Sequence, residues 1–586
     1  VRKSRTNAAS TKDGVGMGTR IVVAVAAAIV AGFTGVAWAE SQPPVKASNG
    51  MVVTSQRLAS EVGAEVLRGG GNAIDAAVAV GYALAVVHPC CGNIGGGGFA
   101  TIRMADGTET FLNFRETAPA AATSNMYLDP AGQLVPGLST LGYKAVGVPG
   151  TVLGLEAMRE TYGTISRAAL MAPAVRLARD GFMLGEADAA MLASVAEDLA
   201  GQPNVTAIFF KGGVPLKAGD RLVQADLAAT LQAVSDGGAG AFYHGVIAAR
   251  VVAASKANSG ILTLADFAAY TVRETAPLRC GYRDVEIISA PPPSSGGTTI
   301  CQILNIVEGW PIGEIGFASA QSVHLLAEAM RHAFVDRNFL LGDPDFVDNP
   351  VERLVSDEYA AAIRASIDPD VAGKSETVRP GTPPHEGTET THYSIVDKDG
   401  NAVAVTYTIN GFFGAKVIAG DTGFFLNNEM DDFTTRPGAP NMFGLVQGEK
   451  NAILPGKRPL SSMSPTIVTR DGRLFMVTGS PGGPRIITTT VATIMNVVDF
   501  GMNVREAVDA PRVHHQWLPD QIFAEPMALS ADTRAMLEQR GHRIEDANPW
   551  GAVAAIVAAP DESEPDGIML YGTNDDRRPG GGAVGH

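Results

Sequence analysis

Residues 391–396 and 402–409 are β-forming runs on either side of Asp397-Lys398-Asp399-Gly400, and this hairpin is the tightest constraint in the chain. A three-residue loop with Gly400 in the left-handed conformation sets Thr408 directly across from Thr390, and neighbouring registers move it by one position only. Upstream, residues 370–389 lose their apolar side chains and gain Pro, Gly, Thr and Glu, the composition of an exposed loop able to carry a cut site. A threonine hydroxyl is a weak nucleophile unless a base sits beside it. A free α-amine on the same residue, with an unperturbed pKa near ~8, is such a base. Thr390 gains that amine only if the Glu389–Thr390 bond is broken.

The 586 residues, 46% of them hydrophobic, are ample for a large core. Residues 21–36 form an apolar run behind Arg20 and before Ala37-Trp38-Ala39, which reads as a secretory signal cut after Ala39, with Met17 as a plausible true start. An uncleaved anchor is the other reading of that run, and no other stretch is long and apolar enough to span. The formal charge of −16 argues against nucleic acid or an anionic membrane as a partner, and losing residues 1–39, with five basic side chains against Asp13, makes the chain more acidic still. Cys90, Cys91, Cys280 and Cys301 show no metal spacing. Adjacent Cys90-Cys91 would make a strained bridge, while a distant pair or buried free thiols are both allowed.

Residues 57–68 and 72–88 predict two helices broken at Gly69-Gly70-Gly71, followed by a hairpin of 99–104 and 108–114 that delivers Arg115 at its end. The region from about 150 to 280 is mostly helical in pattern, and 318–342 is a further helix. A second hairpin, 464–469 and 474–479, ends in Ser480-Pro481-Gly482-Gly483-Pro484 before the helical run 485–499. Proline favours the first helical position, so Gly482 and Gly483 are placed at a helix N-terminus with N–H groups suited to an oxyanion. The Gly95-Gly96-Gly97-Gly98 run has a helix before it and a strand after it, the reverse of a dinucleotide cradle, and reads as close backbone packing. His514-His515 and Trp517 lack a third ligand at usable spacing and read as buried histidines, not a metal site.

The segment from Thr390 to Asn410 closely resembles the start of the small subunit of γ-glutamyltransferases, also called glutathione hydrolases, of the N-terminal nucleophile hydrolase superfamily. The likeness continues through Gly70-Gly71-Asn72-Ala73, Gly95 to Phe99, Asn113-Phe114-Arg115-Glu116, Pro291 to Gly297, Leu341-Gly342-Asp343-Pro344-Asp345, Asn427 to Phe433, Arg458 to Pro465 and Gly479 to Pro484. It implies an α+β fold, a four-layer αββα sandwich with two antiparallel sheets between helical layers. It also implies self-cleavage before Thr390 into a large subunit, 40–389, and a small subunit, 390–586.

The resemblance further implies roles. Thr390 is the nucleophile, Thr408 the hydroxyl beside its amine, and Gly482 and Gly483 the oxyanion hole. Arg115 grips the α-carboxylate of a γ-glutamyl donor with Ser461 and Ser462, while Asn410, Glu429 and Asp432 hold its ammonium. The expected substrates are glutathione and γ-glutamyl compounds, with water, amino acids or peptides as acceptors, no cofactor, and a periplasmic or secreted location. Phe443 stands where the family often has a lid tyrosine, and a phenyl ring donates no hydrogen bond. The alternatives are a related cephalosporin or glutaryl acylase, whose substrates lack the α-amino group, and a secreted, non-catalytic binding protein using the same pocket.

Overall fold

Every residue of the strands Thr391–Asp397 and Ala402–Thr408 is buried, because both faces of this hairpin are covered. The two strands pair with Thr391 opposite Tyr407 and Val396 opposite Ala402, so the expected register is the observed one, and Gly400 turns the chain with φ 87°. They sit at the centre of a seven-stranded antiparallel sheet ordered Gly582–Gly585, Gly50–Thr54, Thr391–Asp397, Ala402–Thr408, Gly97–Arg103, Glu109–Phe114 and Arg273–Thr275. A second seven-stranded antiparallel sheet runs Val45–Ala47, Ile568–Asn574, Ala554–Pro560, Arg473–Thr478, Thr466–Arg470, Val285–Ser289 and Leu278–Tyr282. This computed structural model describes residues 41–378, 390–560 and 567–586. Those from Pro43 onward form one compact unit. The leader read at 1–39 and the cut-site residue Glu389 lie outside the described residues.

The alternation of this central hairpin explains the layers. Tyr393 and Tyr407 point outward and donate to the carbonyls of Ala77 and Gly81, at 3.1 and 3.0 Å, on the helix Ala73–Val87. That helix is buried on all sides and capped by Asn72 and Asp75 in a reciprocal box. Ser394 points the other way and donates to Ala554 O of the second sheet at 2.9 Å, while Thr101 donates to Pro465 O at 2.8 Å. Between the sheets lies a core of Met51, Val53, Ile288, Val396, Ala404, Ile467 and Val477. The outer face of the second sheet packs on the helices Gly296–Glu308 and Arg485–Val498. The result is the expected helix, sheet, sheet, helix sandwich.

The glycine run packs as its flanking elements require. A Cβ at Gly96 would stand 1.8 Å from Thr408 O, and one at Gly95 would stand 2.0 Å from Phe425 O. His514 is enclosed between Thr488 Oγ1 at 2.8 Å and Gln516 Oε1 at 2.9 Å, in keeping with a buried, hydrogen-bonded histidine. The cysteines correct the sequence reading: Cys90 is joined to adjacent Cys91, and Cys280 to Cys301. The second pair forms because the strand Leu278–Tyr282 lies against the helix Gly296–Glu308, bringing the two Cα atoms to 5.9 Å. Among the described residues no helix is long and apolar enough to cross a membrane.

Gly96→Ala tests the backbone contact. The clash is with a carbonyl in mid-sheet that cannot rotate away, so the cost should reach or exceed the roughly 1–3 kcal/mol typical of overpacking. A thermal melt should show a clear drop in Tm, and an unchanged Tm would refute the close approach.

Candidate active site

Thr390 occupies the position just before the first strand of the nucleophile hairpin, on the face that looks between the two sheets, and is 4% exposed. Its Oγ1 lies 3.4 Å from Thr408 Oγ1 on the paired strand. Thr408 Oγ1 also accepts the backbone N–H of Asn410 at 2.8 Å, which leaves its own proton to be donated. Asn410 has φ 70°, a left-handed conformation that asparagine tolerates better than most residues. This bend turns the chain off the strand end, and Asn410 Nδ2 then donates to Asn428 O at 3.1 Å. His392, two residues from Thr390 on the same face, is no candidate base. It is held between Thr406 Oγ1 at 2.8 Å and Ser394 Oγ at 3.1 Å, and burial pushes its pKa down to about 3.

Facing Thr390 is the turn that leads into the helix Arg485–Val498. Pro484 is the N-cap of that helix and not its first residue, a shift of one from the sequence expectation. Gly482 has φ 137° and Gly483 φ 53°, which is why both are glycine. Among the described residues neither of their N–H groups has an acceptor, whereas their carbonyls accept from Arg485 and Ile486 at 3.0 and 3.1 Å. Two donors at the positive end of a helix are thus turned away from the helix.

The rest of the site is charged and enclosed. Arg115 emerges at the end of the strand Glu109–Phe114, fully buried, and its guanidinium is paired with both Glu429 and Asp432. Glu116 Oε2 lies 3.6 Å from the same guanidinium. Burial pushes Glu429 well above the usual carboxylate range and raises Asp432 as well, and Arg115 opposes both shifts. Glu116, whose two oxygens have no hydrogen-bond partner, is raised by burial to about 7. Asp432 is fixed through its backbone carbonyl, which accepts from Gln447 Nε2 at 3.0 Å and Asn451 Nδ2 at 2.6 Å. Ser461 and Ser462 follow on the far side.

These groups share one pocket of about 300 Å³, lined by Arg115, Thr390, Thr408, Asn410, Glu429, Asp432, Ser461, Ser462 and Gly483. Of the sequence-stated candidates with described positions, only Gly482 stands behind the wall. Phe443 is 3% exposed and forms part of the wall. Sequence reasoning missed Arg337, a buried arginine of the helix Ala320–Leu340 that also lines the pocket. An arginine within an otherwise enclosed helix face was the available signal. Larger hollows elsewhere, one walled by Ile312, Phe317, Val323 and Met495, do not bring opposite charges together. The cluster His88, Cys90 and Cys91 has its two sulfurs in the disulfide.

The arrangement can attack a carbonyl with a hydroxyl, stabilise the resulting oxyanion, and hold a small group bearing both charges. Comparison with known proteins agrees in kind. A family profile described as Gamma-glutamyltranspeptidase matches residues 59–585. The chain is 58% identical over 552 residues to a glutathione hydrolase proenzyme of Pseudomonas sp. (strain A14), covering 94% of this chain and 96% of that one. It is 48% identical over 536 residues to a glutathione hydrolase proenzyme of Escherichia coli (strain K12), covering 91% of each. Among solved structures, a cephalosporin acylase from Bacillus halodurans superposes with a TM-score of 0.80 at 28% identity, covering 94% of this chain and 98% of that one.

The buried charge cluster makes its own prediction. Arg115→Ala leaves Glu429 and Asp432 enclosed without their counter-charge, a loss on the order of 3–5 kcal/mol. Its melting temperature should fall by several degrees. Adding Glu429→Gln should recover part of the loss, and a double variant no more stable than Arg115→Ala would count against the ion pair.

Proposed function

This chain belongs to the gamma-glutamyltranspeptidase family, and from that premise we propose that it is an exported proenzyme which cuts itself before Thr390 and then acts as a γ-glutamyltransferase and glutathione hydrolase. The observation that carries the reading is the pocket itself: a threonine hydroxyl at one end, and at the other a guanidinium already clasped by two carboxylates. A γ-glutamyl group fits that layout. Its head carries one carboxylate and one ammonium, and its carbonyl lies a short aliphatic chain away.

In the precursor, Thr390 Oγ1 attacks the carbonyl of Glu389, the peptide nitrogen leaves as the new α-amine, and water hydrolyses the ester. The chains 40–389 and 390–586 result. In turnover the Thr390 amine takes the hydroxyl proton while Oγ1 attacks the γ-carbonyl of the donor. Thr408 directs its hydroxyl toward the nucleophile end, and the Gly482 and Gly483 N–H groups meet the oxyanion. The donor's amine departs with a proton, leaving a γ-glutamyl ester on Thr390. Water, or the amine of an amino acid or peptide, then attacks that ester and regenerates the hydroxyl.

At the head of the donor, Arg115 with Ser461 and Ser462 receives the α-carboxylate, and Glu429 and Asp432 with Asn410 receive the ammonium. Arg115 is held against Glu429 and Asp432, so a bound zwitterion would exchange part of these internal contacts for its own. The acylase-like neighbour raises the rival reading of a glutaryl or cephalosporin side chain. Two carboxylates on one guanidinium argue against it, because a substrate that brings a carboxylate to Arg115 without an ammonium would add negative charge to Glu429 and Asp432 and supply none to offset it.

Purified active protein should run as two chains without a covalent link, and N-terminal sequencing of the smaller should begin at Thr390. Thr390→Ala should remain uncut and inactive, and Thr390→Ser should keep some of both activities. A start elsewhere, or a persistent single chain in active enzyme, defeats the self-cleavage.

Asp432→Asn removes a charge-assisted contact worth roughly 1.5–3 kcal/mol, or about ten- to a hundredfold in kcat/KM for γ-glutamyl donors, with the cut largely intact. Its carboxyl is raised in the empty site, so protonation on acidification removes the charge that attracts the ammonium. In the wild type, kcat/KM for γ-glutamyl anilides should therefore fall as pH drops, beginning above the ordinary carboxylate range. Asp432→Asn should shift that limb without removing it, because burial raises Glu429 and Glu116 as well and the Thr390 amine must be unprotonated to act as base. Unchanged kcat/KM in the processed variant would remove Asp432 from the site and favour the acylase reading.

A further inference from the structure

Arg337 is a buried cation whose hydrogen bonds all go to neutral oxygens, with the Asp432 carboxylate near enough to favour its charge. It is 1% exposed, near the C-terminal end of the helix Ala320–Leu340. Arg331 and Arg512, equally enclosed, are paired with Glu328 and Asp520 and with Asp575 respectively. Among the described residues Arg337 has no such ion pair. Its guanidinium donates only to neutral oxygens: Ser295 Oγ at 3.0 Å, Asn338 Oδ1 at 2.9 Å, Gln447 Oε1 at 3.2 Å and Ser462 Oγ at 3.0 Å. Four neutral acceptors solvate the charge without cancelling it. The same side chain lines the pocket that contains Thr390.

Two consequences follow from chemistry alone. A guanidinium has donors and no acceptor, so Ser462 must accept from Arg337 and can donate its own proton only elsewhere. Among the described residues Ser462 Oγ makes no other hydrogen bond, and Ser462 lines the same pocket. The second consequence is a matter of charge. Arg115 stands against both Glu429 and Asp432, so without Arg337 this end of the pocket would be net negative and would repel a carboxylate. With Arg337 two guanidiniums stand against Glu429 and Asp432, while Glu116, 3.6 Å from Arg115, is a third carboxyl whose pKa burial raises to about 7.

We propose that Arg337 is the positioning residue of the α-carboxylate end: it holds Ser462 as a donor toward the pocket and supplies, beside Arg115, a second guanidinium that the donor's α-carboxylate meets. This rests on the γ-glutamyl reading of the same site. Burial lowers the Arg337 pKa to about 10, so the charge persists at neutral pH.

The test compares γ-glutamyl p-nitroanilide with its α-carboxamide counterpart, which keeps the ammonium and the shape but loses the negative charge, on processed two-chain enzyme. Arg337→Gln should raise KM for the carboxylate donor by about ten- to a hundredfold with kcat within about threefold, and should change the carboxamide donor far less. Arg337→Lys, which restores the charge, should recover part of the KM. Ser462→Ala should show a smaller loss with the same donor preference.

Equal losses on both donors, or a fall in kcat with KM unchanged, would overturn the proposal, since that is how mere structural damage reads out. If Arg337→Gln yields no processed protein, Arg337→Lys and Ser462→Ala decide on the same donor ratio. The parent reading is tested separately by the wild type: no turnover of either anilide removes both, whereas wild-type turnover with unaltered preference in the variants removes this proposal alone.

Discussion

The site depends on a backbone contact before it depends on any side chain. Thr390 is placed by the pairing of Thr391–Asp397 with Ala402–Thr408, and that hairpin is wedged between Gly50–Thr54 on one side and Gly97–Arg103 on the other. The approach of the last pair is tight because glycine allows it: a Cβ at Gly98 would stand 2.5 Å from Thr406 O, and at Gly96 closer still to Thr408 O. These contacts fix the end of the strand that bears Thr408 and Asn410. Strand ends then do the rest. Arg115 follows the end of Glu109–Phe114, Asn410 the end of Ala402–Thr408, and Gly482 the end of Arg473–Thr478, so rigid sheets deliver chemistry to one gap.

The second constraint is electrostatic. Enclosing Arg115 with Glu429 and Asp432 is costly relative to an apolar core of the same volume, and it leaves Glu429 Oε2 and both Glu116 oxygens without partners. A fold optimised for stability alone would not keep such groups. They make sense as a template for a ligand that carries the missing charges. The neighbouring scaffold of Asn441, Gln447 and Asn451 serves the same end, since it holds Asp432 by its backbone and side chain and keeps the carboxylate from swinging out.

Much of this was legible in the sequence because it is local. Period-two alternation and the Gly400 turn set the register that places Thr408 by Thr390, and the order of helix, glycine run and strand identified Gly95 to Gly98 as packing. The paired αββα layers were not readable from pattern; they came from the resemblance to a family. Other features were hidden because they arise between distant segments. The strands Ala554–Pro560 and Ile568–Asn574 complete the second sheet, yet nothing local says which edge they join. The Cys280–Cys301 bond needs a helix laid on a particular strand. Arg337 looks like any arginine in a long helix until Ser295, Gln447 and Ser462 close around it.

Specificity at this site is therefore a problem of charge balance more than of shape. A hydrophobic pocket discriminates weakly between acyl groups of equal length, whereas a pocket whose buried charges must exchange partners with the ligand rejects strongly one that cannot supply them. On the γ-glutamyl reading proposed above, Glu429 and Asp432 would meet the ammonium, and Arg115 with Arg337 the one carboxylate. A glutaryl group answers half of that demand, and an aliphatic acyl group none of it. Phe443 also lines the pocket, and a phenyl ring offers no hydrogen bond. On that same reading, recognition would fall on the charged end of the pocket, away from Thr390 and the Gly482-Gly483 turn.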